Sequence, residues 1–167
     1  MKVRPARLRD CLALRALHRQ ALEERAFVRT VDELPSIEAF EADVDRYQRS
    51  ENSCWWVAVQ PQSHLVGALK LTGGALVRTR HAAHFTVMVD RACRRQGIGS
   101  TLLDEALAWA RSHPMLKRVG LSVFADNDSA IALYRSRGFV EEGRMLGAYR
   151  EPDGQIRDDL RMGLSIE

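Results

Sequence analysis

The chain has 167 residues, 46% of them hydrophobic, a size at which one apolar core suffices, so one domain over 1–167 is expected. Its 25 basic and 22 acidic residues leave a formal charge of +3, too balanced for a nucleic-acid binder and only mildly attractive to anions. Cys11, Cys54 and Cys93 have no C-x-x-C spacing, which excludes a disulfide framework and a zinc site; no metal is expected. The N-terminus lacks a signal-peptide core, and no apolar run approaches the ~20 residues that span a bilayer, so the reading is a soluble cytoplasmic protein without a membrane partner.

Taken in chain order, residues 2–8 read as a strand that Pro5 places at a sheet edge. Asp10 can cap a helix over 11–22, where Leu12, Leu14, Leu17 and Ala21 recur near helical spacing. Ser36 caps a second amphipathic helix over 37–48, with Ile37, Phe40, Val44 and Tyr47 facing the core. Residues 54–59 and 65–71 are strand formers separated by a turn, and they predict a hairpin. Residues 82–89 form the next strand, whose near-continuous apolar end (Phe85, Val87, Met88, Val89) predicts burial on both faces. The strongest helical pattern runs from 97 to 113 and stops at Pro114. A strand over 119–124, a helix over 129–137 closed by Gly138, and a hairpin of 139–149 and 156–165 turning at Asp153-Gly154 complete the chain. The order β-α-α-β-β-β-α-β-α-β-β implies an α/β (α+β) fold, a mixed sheet covered by helices.

Residues 87–103, VMVDRACRRQGIGSTLL, carry the chemistry. A strand ends there in a basic, glycine-containing turn that opens a long helix. The unpaired amides and positive dipole end of a helix start bind phosphate, and Gly97 and Gly99 carry no Cβ to hold a phosphate off. Arg94 and Arg95 add charge. The spacing fits neither a Rossmann turn, which needs G-x-G-x-x-G, nor a P-loop, which needs Gly-Lys-Ser/Thr. Two glycines at a helix start also serve packing and capping alone.

Arg94-Arg-Gln-Gly97-Ile-Gly99 matches the Gln/Arg-x-x-Gly-x-Gly/Ala signature of the GNAT superfamily of acetyltransferases, and 127–139, NDSAIALYRSRGF, resembles that family's Asn-x-x-Ala-x-x-Leu-Tyr-x-x-x-Gly-Phe. The two motifs stand in the family's order, within its element sequence, so the chain resembles a GNAT N-acetyltransferase over nearly its whole length. The resemblance implies a mostly antiparallel sheet of six to seven strands with four helices, and acetyl-CoA as co-substrate. It implies that the backbone of Val87, Met88 and Val89 pairs with the pantetheine arm. Arg94, Arg95, Gln96, Gly97, Ile98, Gly99 and Ser100 would take the pyrophosphate, Asn127 would contact coenzyme A, and Tyr134 would bring its hydroxyl to the sulfur. A packed helix aromatic is the structural alternative for Tyr134.

Aminolysis of a thioester needs a deprotonated amine, a polarised carbonyl and a proton for the leaving thiolate. A backbone amide near Met88 or Val89 is expected to serve the carbonyl oxygen, and Tyr134 the sulfur, in direct transfer. His84 is the first candidate base. His81 is a second, expected on the opposite face of the strand, and Glu142 and Asp158 are further candidates with salt bridging as their alternative. Cys93 reads as an incidental thiol.

The features H-x-x-H at 81–84, LSVFADN at 121–127 and Glu142-Gly143 resemble bacterial small-molecule enzymes, amino-acid N-acetyltransferases among them. The acceptor is expected near Phe27, Arg29, Tyr149 and Arg150. Polyamine, antibiotic and protein N-terminal acetylation remain alternatives, as do a non-catalytic acyl-CoA sensor and, more distantly, a nucleic-acid module. The oligomeric state stays open, a homodimer included.

Overall fold

Strand-forming runs and amphipathic stretches alternate along the chain, and the computed structural model, which describes residues 1–24, 33–61 and 64–166, assembles them into one sheet with helices on both faces. In order they are β1 (Lys2–Pro5), α1 (Cys11–Glu24), α2 (Ile37–Arg49), β2 (Cys54–Val59), β3 (Leu65–Gly73), β4 (Ala82–Val89), α3 (Ile98–Ser112), β5 (Arg118–Phe124), α4 (Asp128–Arg135), β6 (Val140–Arg150) and β7 (Ile156–Ser165). The seven strands pair in the order β1-β2-β3-β4-β5-β7-β6, antiparallel everywhere except between β4 and β5. The element order and the mixed sheet match the sequence expectation, and Pro5 does lie on the edge strand.

Helices α1 and α2 bury Leu14, Phe40 and Val44 against Trp55, Val57 and Ala68 on one face. Helix α3 buries Leu102, Leu103 and Leu107 with Leu69, Phe85 and Val119 on the other, where α4 adds Ile131 and Tyr134. Ser36 caps α2 as expected, its hydroxyl accepting from the Ala39 amide at 3.3 Å.

Two local expectations are corrected. The first strand ends at Pro5 rather than residue 8, because Asp10 folds back: its carboxylate accepts a fork from Arg4 at 2.7 and 2.8 Å and the Arg7 amide at 2.8 Å. Asp10 thus closes a 3-10 turn over Leu8–Asp10 that leads into α1, instead of capping α1 itself.

The second correction concerns β4, which is not buried on both faces: Ala83, Phe85 and Met88 are buried, Val87 and Val89 half-buried, and Thr86 exposed. The cause is register. β4 pairs with β5 only from Ala82↔Arg118 to His84↔Gly120. Beyond that point β4 stays with β3 up to Gly67↔Val89, while β5 stays with β7 up to Phe124↔Asp159. The two strands diverge, and a wedge opens in the middle of the sheet.

Candidate active site

The wedge is a cavity of about 620 Å³, walled by 84–89 of β4 and 121–124 of β5 and closed by the start of α3 and by α4. Because Phe85 to Val89 have no β5 partner, backbone donors and acceptors along this wall face the opening, ready to pair with an extended ligand.

At the wide end stands the start of α3. Gly97 is its N-cap with φ +80°, and a Cβ built there would meet nothing within 4 Å, so the glycine is demanded by conformation,. Arg95, at φ 62°, is also left-handed. The first backbone bond of the helix comes from Thr101 to the Gly97 carbonyl at 2.9 Å, so the first-turn amides before it are the orphan donors of a helix start. The first turn holds no acidic residue to oppose an anion,. Arg95, Gly97, Ile98, Gly99 and Ser100 line the cavity here; Gln96 does not, and its amide group turns back to the Ala92 carbonyl at 3.4 Å.

Arg94 also lines the cavity, but its guanidinium donates to the Val89 carbonyl at 3.1 Å and forms an ion pair with Glu24. With the Arg91 amide donating to Gln20 at 3.1 Å, these bonds fasten the end of α1 to the turn. Ser100 accepts from Arg137, which is also held by Asp104 at 3.1 Å, tying α4 to the start of α3. Neither tie had a sequence signal, since the partners lie 70 and 37 positions apart.

The far end is set by β4, β5 and α4. Asn127 is the N-cap of α4, accepting from the Ala130 amide at 3.2 Å, and lines the cavity. Tyr134 is buried between Phe85 and Phe139, with ring centroids 5.5 and 6.1 Å away, yet borders the cavity. Burial pushes its phenol up to about 12, so it stays protonated,. His84 lies flat over Gly120, where a Cβ would stand 2.9 Å from the imidazole. Its partial desolvation, then Arg118 and Arg161, lower its pKa from the ordinary 6.5, against the pull of Glu142. Val89 lies five positions along the strand from His84, about 17 Å at the usual rise.

The other expected residues fall elsewhere. His81 sits in the turn before β4, where its carbonyl accepts the Lys117 amide at 2.8 Å, so the two-face argument for it does not apply. Glu142 is paired with Arg118 at 2.5 Å. Asp158 accepts the Gly147 amide and Arg144, which hold its carboxyl below the usual range. Tyr149 stacks edge-on to Phe124 at 5.4 Å, and Phe124, which sequence reasoning missed, borders the cavity with Arg157 3.7 Å from its ring. Arg150 is exposed at the end of β6. Phe27 and Arg29 lie outside the described residues. Cys93 is half-buried on the cavity wall. Among the described residues no group of three His, Cys, Asp or Glu is placed to hold a metal, and no helix is long and apolar enough to cross a membrane.

Chemically, the cavity offers anion-receptive amides at one end, a strand edge without a β5 partner along a wall, and a histidine of lowered pKa and a neutral phenol at the other. It suits a long ligand with phosphate at one end and a reacting group at the other.

The N-alpha-acetyltransferase RimI of Mycobacterium tuberculosis is 41% identical over 102 residues, 54% of this chain and 60% of that protein. The L-amino acid N-acetyltransferase AaaT of Escherichia coli is 33% identical over 79 residues, 47% of this chain and 49% of that protein. The chain thus spans about half to three-fifths of these curated relatives' lengths. A GNAT-family acetyltransferase of known structure from Streptococcus pneumoniae superposes with a TM-score of 0.92 at 26% identity, covering 98% of both chains. The sequence profile described as "Acetyltransferase (GNAT) family" matches residues 15–139, and with the split sheet, the glycine-capped α3 and the tyrosine of α4 all in place, the chain belongs to the GNAT family of acetyltransferases.

Proposed function

We propose that the protein is a cytoplasmic N-acetyltransferase that moves an acetyl group from acetyl-CoA to the primary amine of a small molecule, an amino acid among the candidates, by direct attack. The observation that carries this reading is that one cavity holds both the bare start of α3 and the pair His84 and Tyr134. Three free cysteines, with no disulfide among them, support the compartment,.

The residues fit acetyl-CoA, which supplies an acetyl group activated as a thioester. The space over Gly97 that a Cβ would occupy is where a diphosphate can approach the first-turn amides,. Arg95 adds a positive charge at the rim, Arg94 braces the turn through the Val89 carbonyl, and the β4 edge from Val87 to Val89 that β5 leaves without a strand partner aligns the pantetheine arm. Asn127 fixes the start of α4 and so the position of Tyr134.

His84, neutral at pH 7 through its lowered pKa, takes a proton from the acceptor so that nitrogen can attack the acetyl carbon,. A β4 amide near Met88 or Val89 stabilises the negative charge developing on the carbonyl oxygen. As the N–C bond forms and the C–S bond breaks, Tyr134 gives its proton to sulfur, and the second proton that the nitrogen sheds on becoming an amide restores the phenol. A phenol near 12 is a weak acid for this, but the dry surroundings that raise it raise the nearby thiol as well,.

The test is a thiol-release assay over amino acids, polyamines, aminoglycosides and ribosomal N-terminal peptides, with acetyl-CoA affinity measured in parallel. At least one class should release thiol, and Tyr134→Phe should lower kcat on the order of 10²-fold while binding of acetyl-CoA persists. Binding without release for every amine points to a sensor instead, and full turnover in Tyr134→Phe refutes the acid role.

A further inference from the structure

Helices α1 and α2 cover β2 to β4 but not the same face of β5 and β7. On that face lies a second recess of about 410 Å³, which shares His84, Leu121 and Ser122 with the larger cavity and adds Arg118, Glu142 and Arg161. Under two of its lining side chains, His84 and Glu142, lie glycines, Gly120 and Gly163, which are partners across β5 and β7. A Cβ on Gly120 would stand 2.9 Å from the imidazole of His84, and one on Gly163 would stand 2.2 Å from a carboxylate oxygen of Glu142. Only bare backbone at both positions lets the ring and the carboxylate lie down on the sheet beside each other.

The charges in the recess are unequal. Arg118 is committed to Glu142 at 2.5 Å. The Arg161 side chain has no hydrogen bond or ion pair among the described residues, and its charge is felt at His84. It stands directly across from Ser122, which borders both cavities, so its Cβ is about 5 Å from that boundary. Two guanidiniums and one carboxylate around a neutral imidazole leave one uncompensated positive charge.

Resting on the acetyltransferase reading, we infer that Arg161 determines specificity: it holds a carboxylate of the acceptor, so that the substrate is an amine that also bears a carboxylate. A free-base amine with one carboxylate carries the single negative charge that the recess lacks, and a guanidinium binds it in a two-pronged fork. A polyamine would bring a second ammonium against Arg161 and is disfavoured.

The test compares each amino acid with its own carboxamide and its decarboxylated amine by thiol release, with calorimetric binding of acetyl-CoA alongside. The carboxylate form should lead in kcat/KM by about tenfold or more, since a site built for a charged fork rejects the analogue without it. Arg161→Gln should erase most of that lead through KM, and Arg161→Lys should restore part of it, as a point charge without the fork. Equal use of carboxamide and carboxylate, a preference for polyamines, or a lead that survives Arg161→Gln overturns the inference and leaves the acetyltransferase reading standing. Binding of acetyl-CoA with no turnover of any amine overturns both.

Discussion

His84 is set by neighbours from three strands. Arg118 of β5 and Arg161 of β7 push its pKa down along with desolvation, and Glu142 of β6 pulls it up. A base with a lowered pKa is ready at neutral pH and fails only on acidification past its own midpoint. The acidic limb of kcat/KM should therefore fall below the ordinary 6.5, move up in Arg161→Gln and down in Glu142→Gln, as read from a pH–rate profile. A limb that ignores both substitutions would assign the proton to another group. That His84 and Tyr134 border one cavity fits their selection from the sequence, because a titratable group near a motif is a local sign. The ion pair of Arg94, an expected phosphate ligand, with Glu24 was not legible there.

At the scale of elements, the start of α3 shows how two glycines of one motif differ. Gly97 has φ +80°, while a Cβ on Gly99 would meet only Val89 Cγ2 at 3.6 Å, an ordinary contact. Gly97→Ala should cost about 1 kcal/mol through left-handed strain and weaken acetyl-CoA binding, because the methyl enters the space over the amides. Gly99→Ala should leave stability nearly unchanged; denaturant unfolding and calorimetry measure both. The helix extents were readable within a residue or two because periodicity and caps act over a turn. The first strand was read too long because the Arg4–Asp10 fork, not propensity, ends it. The exposure of Thr86 was missed because an apolar run looks alike whether its neighbour strand stays or departs.

Across the whole molecule, the two halves of the sheet are joined by only three β4–β5 residue pairs, so a ligand filling the wedge bridges them. Acetyl-CoA at a hundred times its Kd should add about 2.7 kcal/mol, or roughly 5–10 °C in Tm for a chain of this size. Amide exchange should slow at 85–89 and 121–124. Protection confined to other segments would place the ligand elsewhere.

The sequence by itself determined the order of elements, the family resemblance, the glycine turn at 97–99 and the tyrosine of the last helix, because each is written in interactions spanning a few neighbouring residues. Tertiary structure alone decided that β4 and β5 part after His84, that Arg94 leans on Glu24, and that Gly120 and Gly163 lie directly under His84 and Glu142. These depend on strand register and on partners tens of positions apart, and a one-residue slip in register moves every side chain to the other face.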